Sequence, residues 1–431
     1  MENHPPKPRV KRGKVESIFY GWWIVLACSV MTSYSAGILY YGFTAFFTPL
    51  IQEFGWSRAA TSLAFSLYRL EGGLAAPVVG FFIDRLGPRK MMTAAVVMLG
   101  LGFILLSRIN SLGGFYAVFL FIAFSNSLGF LPVGNFAVSN WFVKKRGIAL
   151  GLLSGGISLC GLLVPVLTWM IITWGWRTAA VIAGIGMWII GVPLAMVIRN
   201  RPEPYGLLPD GKAPDKNPKV HADTALVPSP TRGEREFTIG QAVHTRSFWL
   251  FSTSLIIPYM CNAALFVHEI PFLLQAGIPM ETAALVVTGT VLLSGVGRVG
   301  FGCLSDRFSK RYLMAIAMAS QCSGVLVFAN IHALWQVVPF MVLFGVGYGG
   351  MNPLRAAIQG EYFGTVAFGS IQGILLGIWS VGTMLGPVLA GRFFDVTSDY
   401  RRVFMMLGVA AMSSALPLML ACKPPAPKDR V

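Results

Sequence analysis

The chain has 431 residues, 55% of them apolar and only 12% charged, with a mean hydropathy of +0.65. A water-soluble domain needs far more charge to cover its surface, so lipid must solvate much of this chain. Its net charge of +16 would suit a nucleic-acid partner, but the way that charge is distributed, set out below, excludes one.

Residues 1–18 (MENHPPKPRVKRGKVESI) form a basic N-terminal tail. The apolar run that follows is too long for a signal-peptide core and has no small-residue cleavage site, so it is expected to be retained. Twelve apolar runs then follow in order: 20–48, 59–83, 91–108, 113–141, 147–173, 177–198, 246–275, 281–304, 312–329, 334–362, 368–394 and 403–421. About 20 residues cross a ~30 Å hydrocarbon core as a helix. A backbone in lipid must satisfy its own hydrogen bonds, and these runs are too long for barrel strands. Twelve transmembrane helices are therefore expected, the longer ones tilted. The 48 Gly and 26 Pro argue against helices in water, but inside a membrane bundle small residues let helices pack closely.

With the N-terminus placed in the cytoplasm, 25 Lys/Arg fall on cytoplasmic segments. Six fall on outer loops (Arg58, Arg108, Arg177, Arg392, Arg401 and Arg402), and three lie inside helices. This asymmetry is the positive-inside pattern. It places both termini in the cytoplasm of a multi-pass protein in the cell inner membrane, and it makes the charge a report of topology. The six cysteines all lie in or at the end of apolar runs, with no CxxC and no histidine cluster. They imply no disulfide framework, no metal and no cofactor.

The two halves of the chain repeat each other. Gly80-Phe-Phe-Ile-Asp84-Arg85-Leu-Gly87-Pro-Arg89-Lys90 follows run 2, and Gly302-Cys-Leu-Ser-Asp306-Arg307-Phe-Ser-Lys310-Arg311 follows run 8. Pro132 with Trp141-Phe142 recurs as Pro353 with Tyr362-Phe363, and Gly151 and Gly155 recur as Gly373 and Gly377. Offsets of 221 or 222 residues at every anchor describe a six-helix unit used twice. The expected organisation is a tail (1–18), an N-terminal six-helix bundle (19–198), a linker (199–243), a C-terminal six-helix bundle (244–421) and a second tail (422–431). The linker is rich in Pro, Lys and Arg and is expected to be largely extended, with a short amphipathic helix at 237–245.

The Gly-x-x-x-Asp-Arg-x-Gly-x-Arg-Lys turn between runs 2 and 3 resembles the loop found throughout the major facilitator superfamily, and the likeness covers almost the whole chain. It implies an all-α integral membrane fold of twelve transmembrane helices in two pseudo-symmetric six-helix bundles, with substrate held near the midplane between them. It also implies that Asp84, Arg85 and Arg89, with Asp306 and Arg307, form a gate.

Four stretches resemble, more narrowly, the monocarboxylate and oxalate–formate porters. They are Phe19-Tyr-Gly-Trp-Trp-Ile-Val25, Glu53-Phe-Gly-Trp-Ser-Arg58, Trp141-Phe-Val-Lys-Lys-Arg-Gly-Ile-Ala-Leu-Gly151 and Pro202-Glu-Pro-Tyr-Gly-Leu-Leu-Pro-Asp-Gly211.

A charge at the centre of a membrane helix costs at least ~2.5–3.5 kcal/mol, so each one is a functional candidate. Arg298 lies eight residues before Asp306, about 12 Å into the core. Its i−4 and i+4 neighbours are Ser294 and Gly302, so its own helix supplies no counter-ion. A planar guanidinium that keeps its proton fits a carboxylate, and in the resembled family an arginine of helix 8 holds the substrate carboxylate. The alternative is an interhelical ion pair with Glu71 or Glu269. Gly295, Gly297 and Gly300 would leave room beside Arg298 for a ligand. Although they spell GxGxxG, no strand precedes them, so they are packing glycines and not a dinucleotide site.

Oxalate carriers of the resembled family hold a second cation in helix 11. Run 11 has no Lys, and its only Arg is Arg392 at the outer end, which favours a monocarboxylate. Tyr34, Asn126, Asn135, Tyr259, Asn262 and Tyr348 lie near the middle of runs 1, 4, 7 and 10 and are the further substrate-binding candidates. His268, Glu269 and Glu71 are the proton-coupling candidates. Arg69 is expected in an outer gate or an interhelical ion pair. Arg355 is expected, with Glu361, at the inner gate or snorkelling to lipid.

In animal relatives a lysine of helix 1 and an aspartate before the helix 8 arginine carry the proton. Here Tyr41 and Ser294 stand near those positions. The expected activity is proton-coupled symport of a lactate- or pyruvate-like monocarboxylate by alternating access, with Arg298 on the carboxylate. The alternative is an oxalate–formate-type anion antiporter. The partners are the acid, a proton and membrane lipids, with a monomeric transport unit and no enzymatic chemistry.

Overall fold

A computed structural model describes residues 19–142, 145–205, 207–208, 210, 237–305, 307–364 and 367–425. Asp306 and most of the linker lie outside this set, and Asp84 is described by its backbone alone. The described chain is helical, and ten of its segments are long and apolar enough to cross a membrane. Two further legs come from places where the backbone leaves the helix. Gly87 (φ 76°, ψ 159°) divides 58–106, and Gly175 (φ 80°, ψ 157°) ends the first leg of the Ile148–Val197 segment. Both angle pairs are ones that side chains resist and glycine allows.

Twelve helices result among the described residues: α1 (Tyr20–Phe54), α2 (58–86), α3 (88–106), α4 (Leu112–Trp141), α5 (146–174), α6 (176–197), α7 (Arg246–Gln275), α8 (Met280–Leu304), α9 (Lys310–Ala329), α10 (Leu334–Phe363), α11 (Phe368–Thr397) and α12 (Tyr400–Leu420). The expected amphipathic helix is present as Ile239–Val243, started by a capping box between Thr238 and Gln241.

Four starts carry a side-chain cap, from Ser57, Ser111, Thr245 and Asp399. Ser57 Oγ accepts from Ala60 N on α2 (3.1 Å) and Ser111 Oγ from Gly114 N on α4 (3.1 Å), each relieving an orphan amide. Three helices depart from regular geometry in mid-span. In α1, Ala36–Tyr41 is π-helical; in α5, Ile157–Leu162 is 3₁₀; α4 breaks at Phe130 (φ 51°). Such departures in a spanning helix are tolerated where protein buries them.

Two aromatic clusters fill the interior near the end that carries Arg58. Phe43 packs on Phe65 (5.4 Å) and Phe119 (5.1 Å); Phe328 packs on Phe272 (4.3 Å), Phe340 (4.6 Å) and Phe404 (5.2 Å). Close helix contact sets the level of the candidate site. A methyl group at Gly297 of α8 would strike the Val346 carbonyl, and one at Gly349 of α10 would strike that of Ser294. Of the GxGxxG glycines, Gly295 and Gly297 pack against neighbouring helices, as expected. The room expected beside Arg298 is at Gly300, which faces open space, and not at Gly297.

Candidate functional site

Arg298 projects from α8 toward α5. Its Nη1 donates to the Ser154 carbonyl (3.2 Å) and to Ser158 Oγ (3.3 Å), while its Nε is buried without a partner. Neither acid named as an alternative partner reaches it. Glu71 Oε2 accepts from Ser127 Oγ (2.8 Å), and Glu269 Oε1 from Thr290 Oγ1 (3.4 Å). The ion pairs found among the described residues are Arg177–Glu53 (2.6 Å) and Lys310–Glu361 (2.8 Å). Among the described residues Arg298 therefore meets only neutral oxygens, which is a costly state for a charge unless an anion completes it.

Next to it lies an aromatic layer drawn from α1, α7 and α10. Phe266 is contacted by Tyr40 (5.6 Å), Tyr41 (5.2 Å) and Tyr348 (5.0 Å). Arg69 of α2 sits 4.2 Å over the Tyr40 ring and hydrogen-bonds its hydroxyl, again with an unpartnered Nε.

The remaining substrate candidates divide by what holds them. Tyr34 donates to the Ala183 carbonyl of α6 (3.0 Å). Asn126 is held on both sides, by Ser35 Oγ (2.8 Å) and Tyr68 OH (3.2 Å). Asn262 is buried with its Oδ1 unpartnered, and Asn135 is half-buried on α4. Tyr259 accepts from Arg355 Nη1 (2.5 Å) and stacks on Trp379 (5.6 Å). Arg355 is thus turned to the protein interior, and Glu361 is taken by Lys310. That differs from the snorkel to lipid expected as one alternative for Arg355. Six residues at ~100° each leave Arg355 and Glu361 about 120° apart around α10, on different faces.

A cluster that the sequence did not reveal closes the Arg58 end. The Asp395 carboxylate of α11 accepts from the backbone N–H groups of Arg58 and Ala59 (3.0 Å each), the first amides of α2. An anion there meets both orphan donors and the positive end of the helix dipole. The Arg58 guanidinium lies 3.9 Å over Phe394 and donates to Tyr400 OH (2.9 Å). His268 is fully buried between Tyr400 OH at Nδ1 (2.9 Å) and the Pro387 carbonyl at Nε2 (2.9 Å), with Ser62 Oγ 3.2 Å from Nε2. The carbonyl can only accept, so the network assigns the proton to Nε2 and lets Tyr400 donate to Nδ1. Ser66 Oγ donates to the Met384 carbonyl (2.5 Å), and Ile270 N–H to Thr44 Oγ1 (3.2 Å). Every one of these bonds joins α1 or α2 to α7, α11 or α12, or ties those last three together.

The opposite end differs. Arg89 N–H bonds Asn200 Oδ1 (3.2 Å) and Arg311 bonds the Ala421 carbonyl (3.5 Å), each within its own half of the chain. Arg85 lies over Phe81 (4.1 Å), and Arg85, Arg89 and Arg307 are exposed. Along α5 and α8, contact at Gly161, where a methyl group would sit 3.2 Å from the Thr288 carbonyl, gives way to open space at Gly151, Gly155, Gly300 and Gly302.

Comparison with known proteins decides the family. Residues 22–279 and 260–431 match the model of the Major Facilitator Superfamily. The chain belongs to that superfamily. It is a multi-pass membrane transporter and not an enzyme. It is 25% identical to the uncharacterized MFS-type transporter YcxA of Bacillus subtilis, over 92% of this chain and 95% of that one. It is 24% identical to monocarboxylate transporter 12-B of Danio rerio, over 92% of this chain and 86% of that one. Among solved structures, a bacterial homolog of the human lysosomal transporter Spinster, inward-facing and occupied, aligns with a TM-score of 0.68. The two are 14% identical, and the alignment covers 95% of this chain and 96% of that one. In this facilitator Arg298 of α8 reaches across to Ser154 and Ser158 of α5, in the other half of the chain.

Proposed function

We propose that this transporter carries a small monocarboxylate of the lactate or pyruvate kind, with the carboxylate paired to Arg298. One observation carries the reading: a guanidinium inside the membrane, between α8 of one half and α5 of the other, that among the described residues hydrogen-bonds only Ser154 and Ser158. The monocarboxylate transporters among its relatives support the same class of cargo. A bound carboxylate would supply the missing charge and both lone-pair faces of a two-point contact. It would also touch both halves at once, so that loading favours closure around it.

The end that carries Arg89 is assigned to the cytoplasm, with both termini there, in the cell inner membrane. Residues 19–198 and 244–421 then rock as two bodies about the cargo, within one chain that supplies every residue of the site. Proton symport draws on Glu269. It is fully buried with Oε2 unpartnered, and it is bonded to Thr290 on the helix of Arg298. Its neighbour His268 is committed to the Arg58-end network through both ring nitrogens.

The test is uptake of labelled lactate, pyruvate, formate and oxalate into proteoliposomes under an inward proton gradient. Arg298→Lys keeps the charge but loses the fork, and is expected to lower lactate uptake about 100-fold. Normal uptake by that variant would overturn the site. Uptake driven by internal oxalate and indifferent to the proton gradient would replace symport with anion exchange.

A further inference from the structure

Arg355 repeats, one level down, the arrangement seen at Arg298. Ser294 packs on Gly349 and Phe301 on Gly350, so Arg298 lies level with Gly349–Gly350 of α10. Arg355 follows five to six residues later, roughly 8 Å nearer the end of α10. Its hydrogen bond among the described residues runs through Nη1, to the Tyr259 hydroxyl, and its Nε is buried and unpartnered. The guanidinium carbon lies 5.3 Å over the Trp379 ring, and Trp379 is 2% exposed. This wall is made of α7, α10 and α11, so the group does not snorkel to lipid. The nearest acid on its own helix, Glu361, is held by Lys310. As at Arg298, a neutral oxygen fixes one nitrogen and leaves the guanidinium's Nε without a partner inside the membrane.

The α10 face links the two levels. Tyr348, Asn352 and Arg355 recur at helical spacing, with Asn352 Nδ2 bonded to the Tyr348 carbonyl (3.4 Å), and Tyr348 touches Phe266 in the central layer (5.0 Å). On α7, Tyr259, Asn262 and Phe266 share the matching face.

We propose that Arg355, oriented by Tyr259 and backed by Trp379, forms a second carboxylate subsite between Arg298 and the mouth at the Arg89 end. It takes the same monocarboxylate on its way to or from Arg298, and so rests on the monocarboxylate reading. Two guanidiniums at levels roughly 8 Å apart along the helices shorten the stretch that the anion must cross unpaired.

The test uses the wild-type protein, purified in detergent and treated with phenylglyoxal, which modifies free guanidinium groups. Modification of Arg355 and Arg298 is followed separately by peptide mass mapping. Lactate is expected to slow modification at both positions, and lactamide, its uncharged analogue, at neither. In Arg298→Lys, lactate is expected still to protect Arg355. Tyr259→Phe is expected to raise the lactate concentration that half-protects Arg355 about fivefold.

Protection of Arg298 alone, or loss of Arg355 protection in Arg298→Lys, overturns the second subsite and leaves the central one standing. Protection of Arg355 alone removes Arg298 as the cargo site and retains the subsite. Failure of lactate, pyruvate, formate and oxalate to protect either arginine overturns both.

Discussion

The two ends of this transporter are built from different kinds of bond. At the Arg58 end, a carboxylate of one half caps a helix of the other, and a chain of hydrogen bonds from Arg58 through Tyr400 to His268 lies sealed beneath it. At the Arg89 end, Lys310–Glu361 and Arg89–Asn200 stay inside their own halves. The first kind must break when the halves separate there, while the second survives either way. The difference shows which contacts hold the conformation and which merely hold a helix end.

Spin labels at Arg108→Cys and Ala333→Cys, two exposed loop positions on opposite halves at the Arg58 end, would report that separation as a long-distance population, with the native cysteines replaced. Asp395→Asn should have the largest effect. It keeps the shape but loses two charge-assisted bonds and the dipole contact. A loss of ~2 kcal/mol shifts the sealed-to-open ratio about 30-fold. An unchanged distance distribution would mean that the seal is held by apolar packing alone.

Tyr400→Phe should shift the ratio less, about fivefold, because one neutral hydroxyl is worth ~1 kcal/mol. It would also leave Arg58 without its acceptor and His268 without its donor. If the tautomer assigned to His268 is right, Tyr400→Phe combined with Ser62→Ala should add little, since Nε2 keeps the Pro387 carbonyl. Strong synergy between the two would reverse that assignment.

How much of this was legible in the sequence depends on whether a feature is local. The twelve runs read from apolarity match the twelve helices to within about six residues at each end, because length and composition decide what can cross lipid. The depth of Arg298 was legible too, since rise per residue is fixed. Rotation about the helix axis was less so. The depth of Arg355 follows from its place along α10, but its turn inward to Tyr259 and Trp379 rather than out to lipid does not. The seal was invisible. Asp395 and Arg58 stand 337 residues apart, and neither lies in a repeated motif, since the half-to-half offset places Thr173 opposite Asp395. Ser154 and Ser158 were hidden in the same way, as common residues on a distant helix.

The smallest expected effect is the one that bears most directly on what separates the two ends. Lys310–Glu361 is the ion pair found at the Arg89 end among the described residues, at 2.8 Å, but about a third of each side chain remains exposed. Solvent screens such a pair, and its entropy cost cancels much of the attraction, leaving ~0.5 kcal/mol or less. Because both partners belong to the same half, even that small amount is lost equally from the sealed and open forms. Lys310→Gln should therefore leave the Arg108–Ala333 distance distribution unchanged to within about twofold in population. A shift as large as that of Asp395→Asn would show that the pair changes partners during the cycle, and that the Arg89 end has a conformational lock of its own.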